Sequence, residues 1–545
     1  MNTRGIFTFL PALPLDAGAL LPKRPLAAMR SSLEAVGRET LCLDFGSLAH
    51  VSWLQSQAAA LAERRRPARR LFREGTPGIP FGKLAQAQAR HAATLVAKVG
   101  SPDFVVILVR NHAEFCQASL FSTCLRRLAP SLVQVLTGSH VDAYGSLLLR
   151  DGYFDCGCAS TPENCLAALV DRLGDKESWG RLPGVFVPGG DSAPQHWKGL
   201  VTRTAIPALP SYPVEPPTGR SPEQFLLFDV LQSRGLEGQA FHAAPRAASP
   251  MPCHRSTWRV LEEMAALEHV HGVRVFHVMG EGTPLPEILE LAEQLCRFPH
   301  RQYSRAGLLE QLEPYSAQRL AQSGCRVLTL RVESGSQRLL DRFHGRGFEI
   351  THCEQVLRAC GAAGIYSASG FIYPCPEDDY HSREETARLI RRGQPGSVTL
   401  SLPEVLPGSA WRQSPEAYGF RACHPFGGWH EWERARGWCV GARAGHDFRM
   451  RGWSSARIAR EQQLLRAAIL EARVHYGIVG RVALLARLSG YDGMEDVYAA
   501  RLGKALRSLD VEELSVLMQL YNHHAALTAP VKSYRVAQER AAVGN

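Results

Sequence analysis

The cysteines have the most chemistry to offer, and their spacing limits what they can do. The chain of 545 residues holds 14 cysteines and 20 histidines. The tightest group is Cys156, Cys158 and Cys165, in C-G-C-A-S-T-P-E-N-C. It matches neither the C-x-x-C pairs of zinc sites nor the runs that hold iron–sulfur clusters. Cys353 and Cys360 fall about two helical turns apart on one face, so these thiols read as small buried hydrophobes. A second constellation lies in H-V-M-G-E-G-T, 277 to 283. There His277 and Glu281 are near enough to work as an acid/base pair, with an ordinary polar rim as the plain alternative. Glu333 and Ser334 set a carboxylate beside a hydroxyl, which either contacts a small molecule or hydrogen-bonds the turn itself. His424, His430 and Glu433 sit among Trp429, Trp432 and Trp438, where they line a groove or pack as a cap. No mechanism follows from them.

These residues need a scaffold, and the bulk composition describes one. With 45% apolar and 21% charged residues the chain is a globular protein, and its length predicts roughly three or four domains. The net charge of +10 is carried mainly by arginine. Its densest run, E-R-R-R-P-A-R-R at 63 to 70, reads as a solvated linker. No basic stripe interleaved with aromatics marks a nucleic-acid face. The opening M-N-T-R-G-I-F-T-F-L-P-A-L-P-L-D is broken by two prolines and Asp16, so it reads as a buried first strand rather than a signal peptide. No apolar run approaches the roughly 20 residues of a membrane span, and a cytoplasmic protein is expected.

Short apolar strands alternate with helices over the first 190 residues: strands at 5–11, 40–46, 103–109, 131–138 and 154–158, helices at 25–36, 84–99, 114–128 and 140–149. That pattern predicts an α/β, doubly wound domain over 1–202, with its ligand crevice at the carboxyl ends of the strands. Prolines crowd the stretch 205–222, so 203–223 is expected to be a linker. Six longer βα units follow, with strands at 225–230, 273–279, 301–304, 326–332, 367–373 and 398–402. They predict a partial (β/α)6 barrel over 224–412 with its chemistry at the carboxyl-terminal rim, and a mostly helical region over 413–545.

Together the pieces resemble the cobalamin-binding radical SAM enzymes, especially the group that methylates peptides and other natural products. C-R-V-L-T-L-R-V-E-S-G-S-Q-R-L-L-D-R-F (325–343) is similar to that family's fourth strand and turn. G-I-Y-S-A-S-G-F-I-Y-P-C-P-E-D (364–378) resembles its fifth-strand signature, with Pro374 replacing a glycine. P-G-S-A-W-R-Q-S-P-E-A-Y-G-F (407–420) resembles its Pro-Gly-Ser/Thr segment. The resemblance implies a Rossmann-type front domain, a SAM-binding barrel, and Gly280, Glu281, Glu333 and Ser334 at the SAM site. The carboxylates there would suit an ammonium, and the hydroxyl a ribose.

The same alignment sets S-R-G-L-E-G-Q-A-F-H-A (233–243) on the family's Ser-Arg-Gly-Cys-x-x-x-Cys-x-x-Cys loop. The three ligand positions are then Leu236, Ala240 and Ala243, which cannot bind iron, so a [4Fe–4S] cluster is expected to be absent and radical initiation with it. In the front domain L-T-G-S-H (136–140) stands where relatives carry Gly-Gly-x-His, and G-C-A-S-T-P-E-N replaces a second glycine–glutamate turn, which argues against cobalamin. The expectation is a cluster-less relative that binds a peptide precursor or an active radical SAM partner enzyme. The alternative is a SAM-binding enzyme that transfers methyl groups by polar chemistry. A third reading builds a metal or cluster site from distant thiols, such as Cys253 with Cys325 or Cys375.

Overall fold

In the computed structural model the described residues are 4–63, 81–100, 102–159, 163–190, 223–234, 253–280, 282–406, 409–422 and 448–526. The front sheet is built from β1 (Arg4–Phe9), β2 (Glu39–Asp44), β3 (Phe104–Leu108), β4 (Val133–Thr137), β5 (Cys156–Cys158) and β6 (Val185–Phe186). Its strand order is β2-β1-β3-β4-β5-β6, and every pair is parallel except β5 with β6. The central strands F-V-V-I-L and V-Q-V-L-T are buried at every residue, because helices cover both faces of the sheet. The order reverses direction between β1 and β3, and this switch point opens a crevice at the carboxyl ends of those two strands.

The second sheet has seven parallel strands. They are β7 (Phe228–Leu231), β10 (Val275–Met279), β11 (Gln302–Leu308), β12 (Cys325–Glu333), β13 (Tyr366–Ile372), β14 (Ser397–Ser401) and β17 (His475–Tyr476), in the order β17-β14-β13-β12-β11-β10-β7. Six of these come from the expected βα units, and each crossover helix returns the chain one strand over. The seventh, β17, is supplied by the C-terminal region and pairs with β14. Between β7 and β10 a two-residue ribbon forms from β8 (Ser233–Arg234) and β9 (Cys253–His254). A second ribbon pairs β15 (Phe420–Ala422) with β16 (Phe448–Met450).

Two strands differ informatively from the sequence reading. β11 runs to Leu308, well past the expected Ser304, because Arg305 and Gly307 interrupt the apolar pattern although Arg305 is itself fully buried. The chain at Phe225–Leu227 is buried, but strand β7 starts only at Phe228. There it runs between the front domain and the helix Val511–Ala525: the Phe225 N–H donates to Leu20 O at 3.0 Å, and the Asn522 amide brackets the backbone at Gln224 and Leu226.

The C-terminal region also fills one face of the second sheet. The helix Gly480–Leu488 lies against β11, β12 and β13. A side chain at Gly480 would put its Cβ 2.0 Å from Thr329 Oγ1, so only glycine lets the helix sit this close. One apolar core runs from Phe7 in the front sheet to Tyr521 in the last helix. Among the described residues no helix is long and apolar enough to cross a membrane.

Candidate functional site

The carboxyl-terminal rim of the second sheet gathers several of the expected residues. At the end of β10, Gly280 has φ +135, and an added Cβ would lie 2.6 Å from Ser233 Oγ and 2.7 Å from Ser233 N. Its carbonyl accepts the Thr283 hydroxyl at 2.8 Å, and the Thr283 and Ser233 hydroxyls are bonded at 2.7 Å in a buried pair. Glycine here lets the β7 and β10 ends approach each other. Glu281, the next residue, lies outside the described residues.

Glu333 ends β12 in the left-handed region, at φ +70, after a register irregularity between Arg331 and Glu333. A non-glycine residue held there costs of order 1–3 kcal/mol, and such strain collects at ligand clamps and active sites. Its carboxylate is buried and paired with Arg331 at 3.3 Å. Ser334 turns inward, and its hydroxyl accepts the Ser336 N–H at 3.1 Å. One acceptor position of Ser334 thus serves the turn, and its O–H remains a donor. Gly335 is required by packing, since a Cβ there would meet Thr386 Cα at 2.3 Å.

His277 lies one turn of the pleat below this rim. It is buried, with Nδ1 2.8 Å from the Ser304 hydroxyl. Burial first, then the nearby Arg481 and Arg305 guanidiniums, holds it well below the usual histidine range, so the ring is neutral at neutral pH. Next to it in register stands Asp229, which receives Arg481 from the C-terminal helix at 2.8 Å. Burial pushes the Asp229 carboxyl up, against the pull of Arg481 and Arg24. The sequence could not join these groups, because Arg481 lies some 250 residues from Asp229.

A further acid sits behind the β13 turn. Asp378 accepts the Cys375 N–H and the Ser382 hydroxyl, both at 2.6 Å, and burial raises its carboxyl to about 6. A carboxyl raised in the folded state favours the protonated native protein. Its contribution to stability is therefore present below the unfolded value of about 4 and is lost as pH rises through about 6. Urea unfolding of the wild type and of Asp378→Asn between pH 4 and 7 checks this. The variant is expected to lose the pH slope in that window, and identical slopes would contradict it.

The loop expected to carry the cluster ligands, with Leu236, Ala240 and Ala243, lies outside the described residues, but its ends do not. Ser233 pairs with His254 and Arg234 with Cys253 in the β8–β9 ribbon. Arg255 then binds back: its N–H donates to Gln232 O at 2.8 Å, and its guanidinium to Leu231 O at 2.9 Å. The Arg255 guanidinium also meets Glu263, which is fully buried and holds Arg24 of the front domain at 3.1 Å. An Arg–Glu–Arg triad thus ties the base of this loop to the first helix of the chain. The segment 235–252 contains His242 and no cysteine, so its donor chemistry does not fit a [4Fe–4S] cluster. Of the distant thiols considered, Cys325 packs in the main core and Cys375 in a separate cluster with Phe343 and Trp411, while the Cys253 side chain lies outside what the structure describes. Among the described residues no group of three or more potential ligands forms a metal site. The Trp429–Trp438 cluster with His424, His430 and Glu433 also lies outside the described residues.

At the front-sheet switch point the chain's own charged side chains pair with one another. Arg110 reaches Asp16 at 3.1 Å and Glu114 through Nε at 2.8 Å, while the Lys23 ammonium sits 4.4 Å over the Phe9 ring. Gly138, at φ +116, fits because a Cβ would lie 2.1 Å from Val109 O. Thr137 before it is extended and buried, and its carbonyl accepts the Val109 N–H at 2.8 Å. The His140 ring lies tilted against Tyr144, whose hydroxyl donates across the domain seam to Glu404 at 2.7 Å. Leu406, beside it, packs onto the front-domain core.

Comparison of the whole architecture with solved structures decides its type. The radical S-adenosylmethionine methyltransferase TsrM from Kitasatospora setae, with cobalamin and a [4Fe–4S] cluster bound, superposes with a TM-score of 0.65 at 15% identity, over 93% of this chain and 100% of that one. The chain has the fold of the cobalamin-dependent radical SAM enzymes. The cobalamin-dependent radical enzyme OxsB, with aqua-cobalamin and S-adenosylmethionine bound, has the same fold, with a TM-score of 0.53 at 12% identity over 95% of this chain and 79% of its own. No protein-family model and no curated protein sequence matches the chain. Gly280, Glu333 and Ser334 lie at strand ends of the seven-stranded sheet.

Proposed function

We propose that this chain is a cluster-less relative of the cobalamin-dependent radical SAM enzymes, a non-radical binding protein that holds a peptide precursor or an active radical SAM partner in natural-product modification. One observation carries the reading: the segment between β8 and β9 is pinned at both ends and holds no thiol. Without thiolates there is no low-potential cluster to reduce SAM, so the scaffold retains shape without radical initiation. The Arg110 ion pairs at the front switch point, with Thr137 standing in place of a glycine, support the same reading for cobalamin.

Anaerobic purification, cluster and cobalamin reconstitution, and assays of iron, cobalt and SAM check it. The wild type is expected to retain far less than one iron per chain. The triple variant Leu236→Cys/Ala240→Cys/Ala243→Cys is expected to rise toward about four, the content of one cluster. Wild-type protein with about four irons that cleaves SAM reductively would overturn the proposal.

A second reading, SAM binding with polar methyl transfer, is favoured by the strained Glu333 at the rim. Titration calorimetry with SAM on iron-free protein separates the two. Binding that weakens at least tenfold in Glu333→Gln supports the enzyme reading, and no heat at millimolar SAM supports the binding module.

A further inference from the structure

A groove of about 470 Å³ opens at the amino-terminal end of β13 and β14, the end of the sheet opposite the rim that both readings use. It lies between the last turns of the helices Ile350–Ala362 and Tyr380–Gly393. Leu357, Gly361 and Ala362 form its floor, and Arg358, Arg391 and Arg392 line it. All three arginines are exposed, and one carboxylate, Glu354, serves two of them, at 3.1 Å from Arg358 and 3.9 Å from Arg392. The Arg391 guanidinium has no ion pair or hydrogen bond among the described residues. Three guanidiniums against one carboxylate leave an excess of two positive charges in the groove.

Simpler roles do not account for this arrangement. Arginines in a last helical turn commonly cover the terminal carbonyls. Here the Arg392 carbonyl accepts Arg358 Nε–H at 2.8 Å and the Arg391 carbonyl accepts the Gln394 amide at 2.9 Å, so the Arg391 guanidinium is left for the groove. The two glycines differ as well. Gly393 is set by packing, since its Cβ would lie 2.8 Å from Leu357 Cδ1, whereas a Cβ on Gly361 would meet nothing within 4 Å. Glycine is disfavoured in a helix, and with no packing demand at Gly361 its effect is to keep the floor clear.

We propose that this groove binds a small phosphate monoester. The phosphate carries a charge of about −1.5 to −2 at neutral pH, which matches the excess, and planar guanidinium forks suit its oxygens. The uncharged body of the ester lies on Leu357, Gly361 and Ala362, in a groove within the range of about 300–1,000 Å³ usual for small-molecule sites. The site is at the other end of the strands from Glu333 and Ser334, so it fills independently of whatever the rim holds.

Isothermal titration calorimetry on the full-length protein at about 150 mM salt, where diffuse attraction between charges is screened, tests the site with phenyl phosphate and inorganic phosphate as probes. Phenyl phosphate is expected to saturate with a Kd below about 1 mM, at least about tenfold tighter than inorganic phosphate, because its ring gains apolar contact with the floor. Arg391→Gln and Gly361→Leu are each expected to weaken it by about tenfold or more, the first by removing a charge-assisted partner and the second by filling the floor. Arg388→Gln, exposed on the same helix but outside the groove, is expected to leave the affinity unchanged. No saturation by about 10 mM, equal affinity for the two probes, or the same loss in Arg388→Gln as in Arg391→Gln would overturn the proposal. The comparison of the two probes on the wild type decides even if a variant fails to fold.

Discussion

Glu263→Gln is expected to be the most damaging single change in the molecule, costing about 3–5 kcal/mol, the usual penalty for stripping a buried ion pair of one member. Glu263 is fully buried and lies between Arg24 of the front domain and Arg255 at the base of the β8–β9 ribbon. The amide carries no charge, so two guanidiniums that are almost wholly inside the protein lose a counter-charge they share. They would be stabilised only by opening the seam to water. Urea unfolding followed by tryptophan fluorescence and by circular dichroism measures the loss. Replacing all three residues by methionine is expected to restore most of the stability, since a well-packed apolar triad avoids the desolvation cost altogether. A Glu263→Gln protein within about 1 kcal/mol of the wild type would show that the triad does not bind the two domains.

Gly280→Ala should cost nearly as much, about 3–5 kcal/mol, by summing backbone strain with overpacking. At φ +135 an alanine leaves the favourable regions, and its Cβ would meet the backbone N and hydroxyl of Ser233 as well as Thr283 Oγ1 at 2.8 Å. A flexible side chain could yield, but the Ser233 backbone is fixed by the ribbon to His254. The control is Gly272→Ala, at φ +62 with nothing within 4 Å of the added carbon, where only the conformational cost of about 1 kcal/mol applies. Differential scanning calorimetry on both variants reads the contrast. Equal shifts in Tm would mean that the close approach of the β7 and β10 ends is not what selects glycine.

Much of this architecture is legible in the sequence because it follows from local pattern. Short apolar runs such as F-V-V-I-L and V-Q-V-L-T can only be strands covered on both sides, and the proline-rich stretch separates the two series of βα units. The rim is legible too, since E-S-G-S announces a tight turn at a strand end. Its internal economy is not. Ser334 reads as a hydroxyl beside a carboxylate, and only the folded turn reveals that it also accepts the Ser336 N–H. Arg305 misleads in the other direction, ending the apparent strand early by its charge although the strand passes through it.

The missing thiols at 236, 240 and 243 are a matter of covalent composition, so the sequence by itself determined that this loop offers no thiolate ligands. The order of strands and helices was likewise determined locally, by side-chain periodicity and by prolines. Tertiary structure decided what depends on groups far apart in the chain. It placed Arg481 of a late helix on Asp229, Tyr144 on Glu404 across the seam, and Arg24 and Arg255 on one buried carboxylate. It also drew β17 from the C-terminal region into the second sheet. Such pairings leave no periodic trace, because the energy that selects them comes from excluding water around both partners at once, and that exists only after the two domains have closed on each other.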